Sequence, residues 1–342
     1  DTGTDTTRAI VPSTLAGSVL AGDVTANNAK VTNATHTGDV IGATIPGMPL
    51  VLLGRSELLG WGLTSSYLDD QDVYIEELNP ANREEYRTPD GFKKFRTRAS
   101  IITVKDMDPV TLTLRWTDNG PVLPGSHYNL ADITPPGTVA AVNWTVLSQR
   151  DTTMQAAMEL MHAKTVADGI EAAALFVAPS QNLTLVDKQN IVMKTIGAAP
   201  KRDPLHQSQG RLPTPGWIET NRWQGILPYT SNPGFVAPAG GILGNTNNKM
   251  IDRPFPNHIS FEWGDTQRVQ RWQRLMQGRQ VHTRDSFIEA QLDTVSFTAR
   301  SLLPLIGAEL WFTGEAAPAG TPEALRQRAL ALLAGWSGDM GE

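Results

Sequence analysis

Between residues 49 and 121 the chain consists of short apolar or alternating runs separated by turns, and this spacing constrains the fold more than any other feature. Alternation of apolar and polar residues places successive side chains on opposite faces of a strand, and short connections favour antiparallel neighbours. We therefore predict an antiparallel sheet here. The runs are PLVLLG (49–54), DVYIEEL (72–78), RASIITV (98–104) and TLTLRW (111–116).

A helical period replaces this alternation after residue 152. Apolar side chains recur every three or four positions, which predicts one long helix over 153–176. The apolar stripe includes three methionines, which we assign to the core rather than to a cofactor site: Met154, Met158 and Met161.

A hairpin and three more helices complete the predicted elements. The runs NLTLVD and IVMKTIG predict the hairpin, with its turn at 188–190. Helices are predicted over 265–280 and 284–302, the second with Thr283 as its N-cap. A last helix begins with Thr321 as N-cap, followed by a proline at the first helical position.

The stretch between the hairpin and these helices, residues 198–258, is rich in Pro, Gly and Asn. Ordered loops of that length usually carry function. The order of sheet, helix, hairpin, long loop and helices predicts the α+β class, with helices layered over sheet.

Composition excludes several classes of function. The net charge of −6 and the absence of a basic block argue against a nucleic-acid partner. No apolar run of membrane-spanning length and no signal peptide are visible, so no membrane partner is expected. The chain has no cysteine, which excludes disulfides and thiolate chemistry. Its 6 histidines are too dispersed for a paired zinc motif.

The first 44 residues differ from the rest. Residues 1–44 are rich in Thr, Ala and Gly and contain no aromatic residue, and they resemble the threonine-rich repeats of phage tail-fibre shafts. We treat 1–44 as a separate segment and 45–342 as the main domain.

Three aspartates stand within four positions in LDDQD, residues 68–72. Two interpretations are open. The run is typical of a solvated turn, and equally, carboxylates two to four positions apart with an intervening carbonyl suit a hard cation such as Ca²⁺, which binds several oxygens in flexible geometry.

Five segments together carry a family resemblance. They are GATIPGMPLVLLGRSELLGWGLTSSYLDDQDVYIEEL, QSQGRLPTPGW, GILPYTSNP, GGILGNTNNK and FEWGDTQRVQRW. In order and spacing they resemble the large subunit of the penicillin amidase (penicillin acylase) family, from about Gly42 onward. The resemblance implies the αββα sandwich of the N-terminal-nucleophile hydrolases, here incomplete. It also implies cleavage of an amide between an acyl chain and an amine, as in β-lactam side chains, acyl-homoserine lactones or lipopeptides.

The same resemblance implies roles for four residues. The backbone N–H of Ser65 and the side-chain amide of Asn247 would donate to the tetrahedral oxyanion, and Arg268 would hold and polarise the site. Leu53 falls where the family lines its acyl pocket. Without the resemblance, Asn247 would be interpreted as a turn residue with positive φ, and Arg268 as a solvated helix residue.

The family also holds a structural calcium ion, the only cofactor expected. The small subunit normally adds one further ligand to the set. The matching positions in this chain are Asp69 and Asp72 by side chain, Gln71 and Gly210 by backbone carbonyl, and Asn257 by side chain.

The family's amino-terminal nucleophile has no match in the chain. A serine opening a Ser-Asn-x-Trp-like start is expected ahead of PGMP, whereas Ser13 and Ser18 lack that context. We therefore expect the chain alone to be inactive. We also expect it to be shortened at its carboxyl end relative to the family's large subunit. The expected partners are a small-molecule amide substrate and the small subunit of a processed precursor, and the expected location is periplasmic or extracellular.

Two alternatives stay open. The first is a non-enzymatic structural or binding module, based on residues 1–44 alone. The second is a self-processing acylase that begins at Thr2 or a nearby threonine, since a threonine hydroxyl can also act as a nucleophile.

Overall fold

The computed structural model describes residues 40–125, 128–307 and 314–341. These residues form two compact units. The first comprises the described residues up to Leu243 together with Ile251–Phe261, and the second comprises Gly244–Met250 and the described residues from Glu262 onward. Almost all of segment 1–44, with Thr2, Ser13 and Ser18, lies outside the described residues.

The described part of the chain contains ten strands, then two α-helices, four more strands and four α-helices. The strands are β1 (Ile41–Ala43), β2 (Leu53–Arg55), β3 (Gly60–Ser65), β4 (Gln71–Asn79), β5 (Asn82–Thr88), β6 (Gly91–Lys94), β7 (Arg96–Ile102), β8 (Val110–Thr117), β9 (Gly120–Pro121), β10 (Thr138–Trp144), β11 (Gln181–Val186), β12 (Ile191–Ile196), β13 (Thr214–Pro215) and β14 (Gly234–Val236). The helices are α1 (Thr153–His162), α2 (Val166–Ala173), α3 (Gln267–Gln277), α4 (Arg284–Gln291), α5 (Phe297–Leu302) and α6 (Pro322–Gly335).

Three sheets build the first unit. A 6-stranded antiparallel sheet has the order β1-β2-β3-β11-β12-β14. A second sheet has the order β10-β4-β5-β6, with β13 parallel to β4, and a third has the order β7-β8-β9. The predicted hairpin β11–β12 and the antiparallel pairing of RASIITV with TLTLRW are confirmed, but the four runs predicted as one sheet belong to three different sheets. In PLVLLG, however, only Leu53 and Gly54 belong to a strand.

The single helix predicted over 153–176 is wrong, because two helices occupy that range. α1 ends at His162, and α2 starts again at Val166. The second start has a capping box, in which Thr165 accepts from the backbone N–H of Asp168 and the Asp168 side chain accepts from the backbone N–H of Thr165. Such a box satisfies orphan donors and specifies a new helix start.

The main core lies between α1, α2 and one face of the 6-stranded sheet. Leu183 and Leu185 of β11 are fully buried there and pack with Trp61 of β3 and Leu160 of α1. The methionine assignment is wrong at two positions, since Met154 is 44% exposed and Met158 is 38% exposed.

The second unit is helical in its described residues. Thr283 caps α4 and Thr321 caps α6, with a proline at the first position of α6, as predicted. The helix predicted over 284–302 is instead two helices, α4 and α5, interrupted at 292–296. The overall α+β class is confirmed.

Candidate functional site

Ser65 is the last residue of β3 and pairs in register with Gln181 of β11. It is exposed, and its carbonyl oxygen lies 3.5 Å from the donating side-chain amide of Asn182. Two residues later, Tyr67 has a φ of +53°, a left-handed conformation that is uncommon for a bulky residue. Backbone in such conformations concentrates at functional sites.

Asn182 is a residue that motif comparison did not identify. It is 1% exposed and accepts a hydrogen bond of 3.1 Å from the hydroxyl of Thr195, its cross-strand partner on β12. Together the two side chains form a buried polar pair beneath the end of β3. An asparagine opening the predicted strand NLTLVD was the available signal.

The three clustered aspartates have different surroundings. Asp70 accepts a hydrogen bond of 2.9 Å from the Thr145 hydroxyl, and burial raises the pKa of the Asp70 carboxyl. Asp69 and Asp72 instead meet Arg202, which is 4% exposed. The solvated-turn interpretation therefore does not describe Asp72, which is buried and fully engaged.

Arg202 bridges the two carboxylates. Its Nε donates to Asp72 Oδ2 at 2.8 Å and its Nη2 to Asp72 Oδ1 at 3.0 Å, in a bidentate pair. Nη2 also donates to Asp69 Oδ1 at 3.2 Å, and Nη1 donates to the Asp69 carbonyl at 3.2 Å. Burial alone would lower the pKa of Arg202, but the hydrogen bonds and the charge of Asp72 raise it above its ordinary value.

Two aromatic side chains complete this cluster. The Trp223 indole donates to Asp72 Oδ2, and the ring lies under the Arg202 guanidinium, with its centroid 6.0 Å from Cζ. His258 Nε2 lies 2.7 Å from Asp69 Oδ2, and the side chain of His258 is 2% exposed. We call Asp69, Asp72, Arg202, Trp223 and His258 the Arg202 cluster.

The other predicted calcium ligands lie differently with respect to this cluster. Gly210 is adjacent, since a Cβ added to it would lie 2.9 Å from both Asp72 Oδ1 and Arg202 Nε. Gln71 and Asn257 are exposed, and it is the neighbour of Asn257, His258, that contacts Asp69. Among the described residues no group of three or more His, Cys, Asp and Glu side chains has a metal-binding arrangement.

This donor set does not fit a divalent cation. All four carboxylate oxygens of Asp69 and Asp72 already contact Arg202, Trp223 or His258. Calcium needs six to eight oxygens placed around a vacant centre, and a guanidinium lies between these oxygens instead. Calcium binding by this protein stays a prediction that the arrangement does not favour.

Asn247 and Arg268 are joined in the second unit. Arg268 Nη2 donates to Asn247 Oδ1 at 3.1 Å. Asn247 has a φ of +66°, and its backbone N–H donates to Asn245 Oδ1 at 2.7 Å. The residue is therefore a turn residue with positive φ, and that local conformation presents its amide to the arginine. Because the oxygen of the amide faces Arg268, its nitrogen points away from it.

The position of Arg268 is not explained by helix stability. Arg268 is exposed and is the second residue of α3, where the helix dipole disfavours a cation. One turn later, Trp272 packs on the backbone of Gly244, three residues before Asn247. The glycine permits this approach, because a Cβ there would lie 2.3 Å from the indole.

Leu53 is 41% exposed at one end of the β1–β2 pairing, opposite Ala43. A separate cleft of about 970 Å³ in the first unit is lined in part by Trp116, Trp144 and Phe176. None of the predicted site residues lines that cleft. Within the described ranges, no helix is both long and apolar enough to cross a membrane.

Comparison with solved structures defines the fold class. The chain matches a thermostable penicillin G acylase from Alcaligenes faecalis with a TM-score of 0.68 at 22% identity, over 88% of this chain and 52% of that one. The chain therefore shares the fold of that penicillin G acylase, as predicted.

The family follows from sequence. The penicillin amidase family model matches residues 27–342, and the chain belongs to the penicillin amidase family. The matched range begins inside segment 1–44, whose proposed boundary stays a prediction.

Two curated relatives illustrate the range of the family. An acyl-homoserine lactone acylase, QuiP, of Pseudomonas aeruginosa is 27% identical over 266 residues, covering 76% of this chain and 31% of the relative. Penicillin G acylase of Escherichia coli is 28% identical over 295 residues, covering 79% of this chain and 31% of the relative. The chain thus spans under a third of the length of these relatives.

Proposed function

We propose that this chain supplies the oxyanion-stabilising part of an amide hydrolase that removes an acyl chain from an amine. The observation that carries the proposal is the hydrogen bond from Arg268 to Asn247. It orients a neutral amide, whose N–H groups can meet a developing negative charge without a buried charge of their own.

The second donor is the backbone N–H of Ser65, at the end of a strand held by Asn182. A donor is effective only when its direction is fixed before charge develops. The buried pair of Asn182 and Thr195, and the left-handed backbone at Tyr67, support such a fixed end.

The acyl-enzyme would form on an amino-terminal serine, with its own α-amine as base. The names of the relatives point to β-lactam side chains or acyl-homoserine lactones as the substrate class. Leu53, aliphatic and half-exposed, would contact the acyl group. A small-subunit partner and a periplasmic or extracellular location belong to the same proposal.

The first test compares two preparations on a chromogenic phenylacetyl amide and a long-chain acyl-homoserine lactone. The 342-residue chain alone is expected to show no turnover above blank. We call the full product of the coding DNA on both sides of this sequence the parent. The parent is expected to contain a serine at the junction between its subunits and to hydrolyse one of these substrates. Turnover by the chain alone would contradict the assignment of the nucleophile.

The second test changes the donor in the active parent. Asn247→Ala is expected to lower kcat about 10²-fold to 10³-fold, the usual effect of losing one oxyanion donor. Arg268→Lys should give a smaller loss, because a lysine keeps the charge but not the planar donor geometry. The controls are Asn129→Ala and Arg284→Lys, both at exposed positions. Equal kcat in Asn247→Ala and its control would reject the role.

A further inference from the structure

We propose that Arg202, supported by His258, is the resident counter-cation of Asp69 and Asp72, so that this chain needs no divalent metal ion at that place. The inference is independent of amide hydrolysis, because it concerns how the chain satisfies two neighbouring carboxylates, one buried and one partly buried. In this proposal Arg202 and His258 make the contacts to the two carboxylates that a bound cation would otherwise make.

Charge is the first argument. Asp69 and Asp72 carry two negative charges, and the Arg202 guanidinium, with a side chain that is 2% exposed, contributes one positive charge at contact distance from both. A doubly charged ion bound beside the guanidinium would give a local excess of positive charge, and an ion that replaced the guanidinium would leave the buried charge of Arg202 without its partners. Buried charges of one sign without partners are strongly unfavourable.

Space is the second argument. The guanidinium lies between the two carboxylates, the Trp223 ring and the backbone of Gly210, where even a Cβ would approach Arg202 Nε to 2.9 Å. An ion that bound the same carboxylate oxygens would have to displace the Arg202 head group. Each carboxylate oxygen of Asp69 and Asp72 contacts a hydrogen-bond donor or the ring nitrogen of His258.

The third argument is that the cluster already ties together the stretches of chain that a metal ion would join. Arg202 Nη1 donates to the Asp69 carbonyl, and the backbone N–H of Asp69 donates to the carbonyl of Ile259 at 2.7 Å. His258 adds the side-chain contact to Asp69 at 2.7 Å. The start of β4 is thereby linked to residues more than 100 positions away in sequence.

The experiment measures unfolding and metal binding of the 342-residue chain, with no substrate. The chain is stripped with EDTA, and its Tm is recorded by calorimetry with and without 1 mM CaCl₂, beside a calcium titration by isothermal calorimetry. A site with a Kd 100-fold below the added concentration would raise Tm by about 5–10 °C. We expect no shift and no stoichiometric heat.

Two variants examine the Arg202 and His258 side chains themselves. Arg202→Met keeps the length of the side chain and removes its charge, so Tm should fall by about 5–15 °C, and calcium should now recover part of the loss. His258→Leu should lower Tm by less than Arg202→Met does. Arg222→Met is the matched control, since Arg222 is a partly exposed arginine of the same unit that pairs with Asp118 and Glu219, and its Tm should not respond to calcium.

Each outcome decides the proposal. A calcium-dependent rise in the Tm of the unmodified chain, or saturable calcium binding to it, would overturn the inference. So would an Arg202→Met variant as stable as the Arg222→Met control. If Arg202→Met does not fold, the unmodified chain and His258→Leu still decide the matter. None of these measurements depends on hydrolysis. A result that overturns the inference about Arg202 is therefore distinct from a result that overturns the proposed function.

Discussion

Gly244→Ala should disturb the second unit at the place where Asn247 and Arg268 are brought together. A Cβ at Gly244 would lie 2.3 Å from Cζ2 and 2.6 Å from Cε2 of the Trp272 indole. Nonbonded carbons prefer separations of about 3.5–4.0 Å, so the indole or the loop must retreat by roughly 1 Å. The backbone on one side and a rigid ring on the other leave little freedom for that movement.

Two effects should follow. Overpacking of this kind costs about 1–3 kcal/mol of unfolding free energy. The displacement also reaches the site, because Asn247 follows Gly244 by three residues and Arg268 precedes Trp272 by one helical turn on α3. The hydrogen bond of 3.1 Å between Arg268 and Asn247 should lengthen, and kcat of the active parent should fall with it.

Urea unfolding followed by circular dichroism measures the loss of unfolding free energy in Gly244→Ala, with Gly264→Ala as control. Gly264 has no atom within 4 Å of an added Cβ, so alanine there should be neutral or slightly stabilising. Trp272→Leu provides the second arm of a double-mutant cycle. In that background the cost of Gly244→Ala should shrink by about 1 kcal/mol or more, since the clashing ring is gone.

The reasoning is refuted if Gly244→Ala unfolds within about 0.5 kcal/mol of Gly264→Ala. It is also refuted if its cost is the same with and without the Trp272 indole. Either result would mean that the close approach of ring and backbone has no energetic consequence.

Three further predictions concern the first unit. Burial raises the pKa of Glu76 above its ordinary value of 4.5, so ionisation of Glu76 opposes folding. Glu76→Gln keeps an acceptor for Asn119 and cannot ionise. Its stability relative to the unmodified chain should therefore grow by about 1.4 kcal/mol per pH unit above that value until the folded pKa is reached, and parallel pH profiles in urea unfolding would contradict this. Leu183→Ala empties a fully buried position and should cost about 2–5 kcal/mol in the same assay, against no more than about 0.5 kcal/mol for Leu212→Ala at an exposed position. Thr165→Ala removes the cap of α2 and should cost about 1 kcal/mol, with Thr165→Ser restoring most of it.

Local patterns were sufficient where short-range chemistry decides the structure. The hairpin β11–β12 follows from two apolar runs and a polar turn, and the starts of α4 and α6 follow from Thr283 and Thr321 as caps. These features depend on residues within a few positions of each other, so a single sequence contains the information.

The period of the apolar residues did not predict where a helix ends. Apolar spacing continues through 153–176, but the chain leaves α1 after His162, and a new capping box starts α2. The assignment of the α1 methionines to the core was wrong for a related reason. The helix turns Ala156 and Leu160 toward the core and leaves Met154 exposed. Helical spacing shows which residues share a stripe, but not which stripe the sheet covers.

The sequence by itself determined the family, the α+β class and the identity of the candidate donors, because those depend on motifs and their order along the chain. Only the tertiary structure decided how the crowded aspartates are satisfied. Asp69 and Asp72 meet an arginine 130 positions beyond Asp72 in the chain, and a histidine beside the expected ligand Asn257. Spacing along a chain can predict that carboxylates cluster. Whether a metal ion or a side chain neutralises them depends on which distant residue the fold brings into contact.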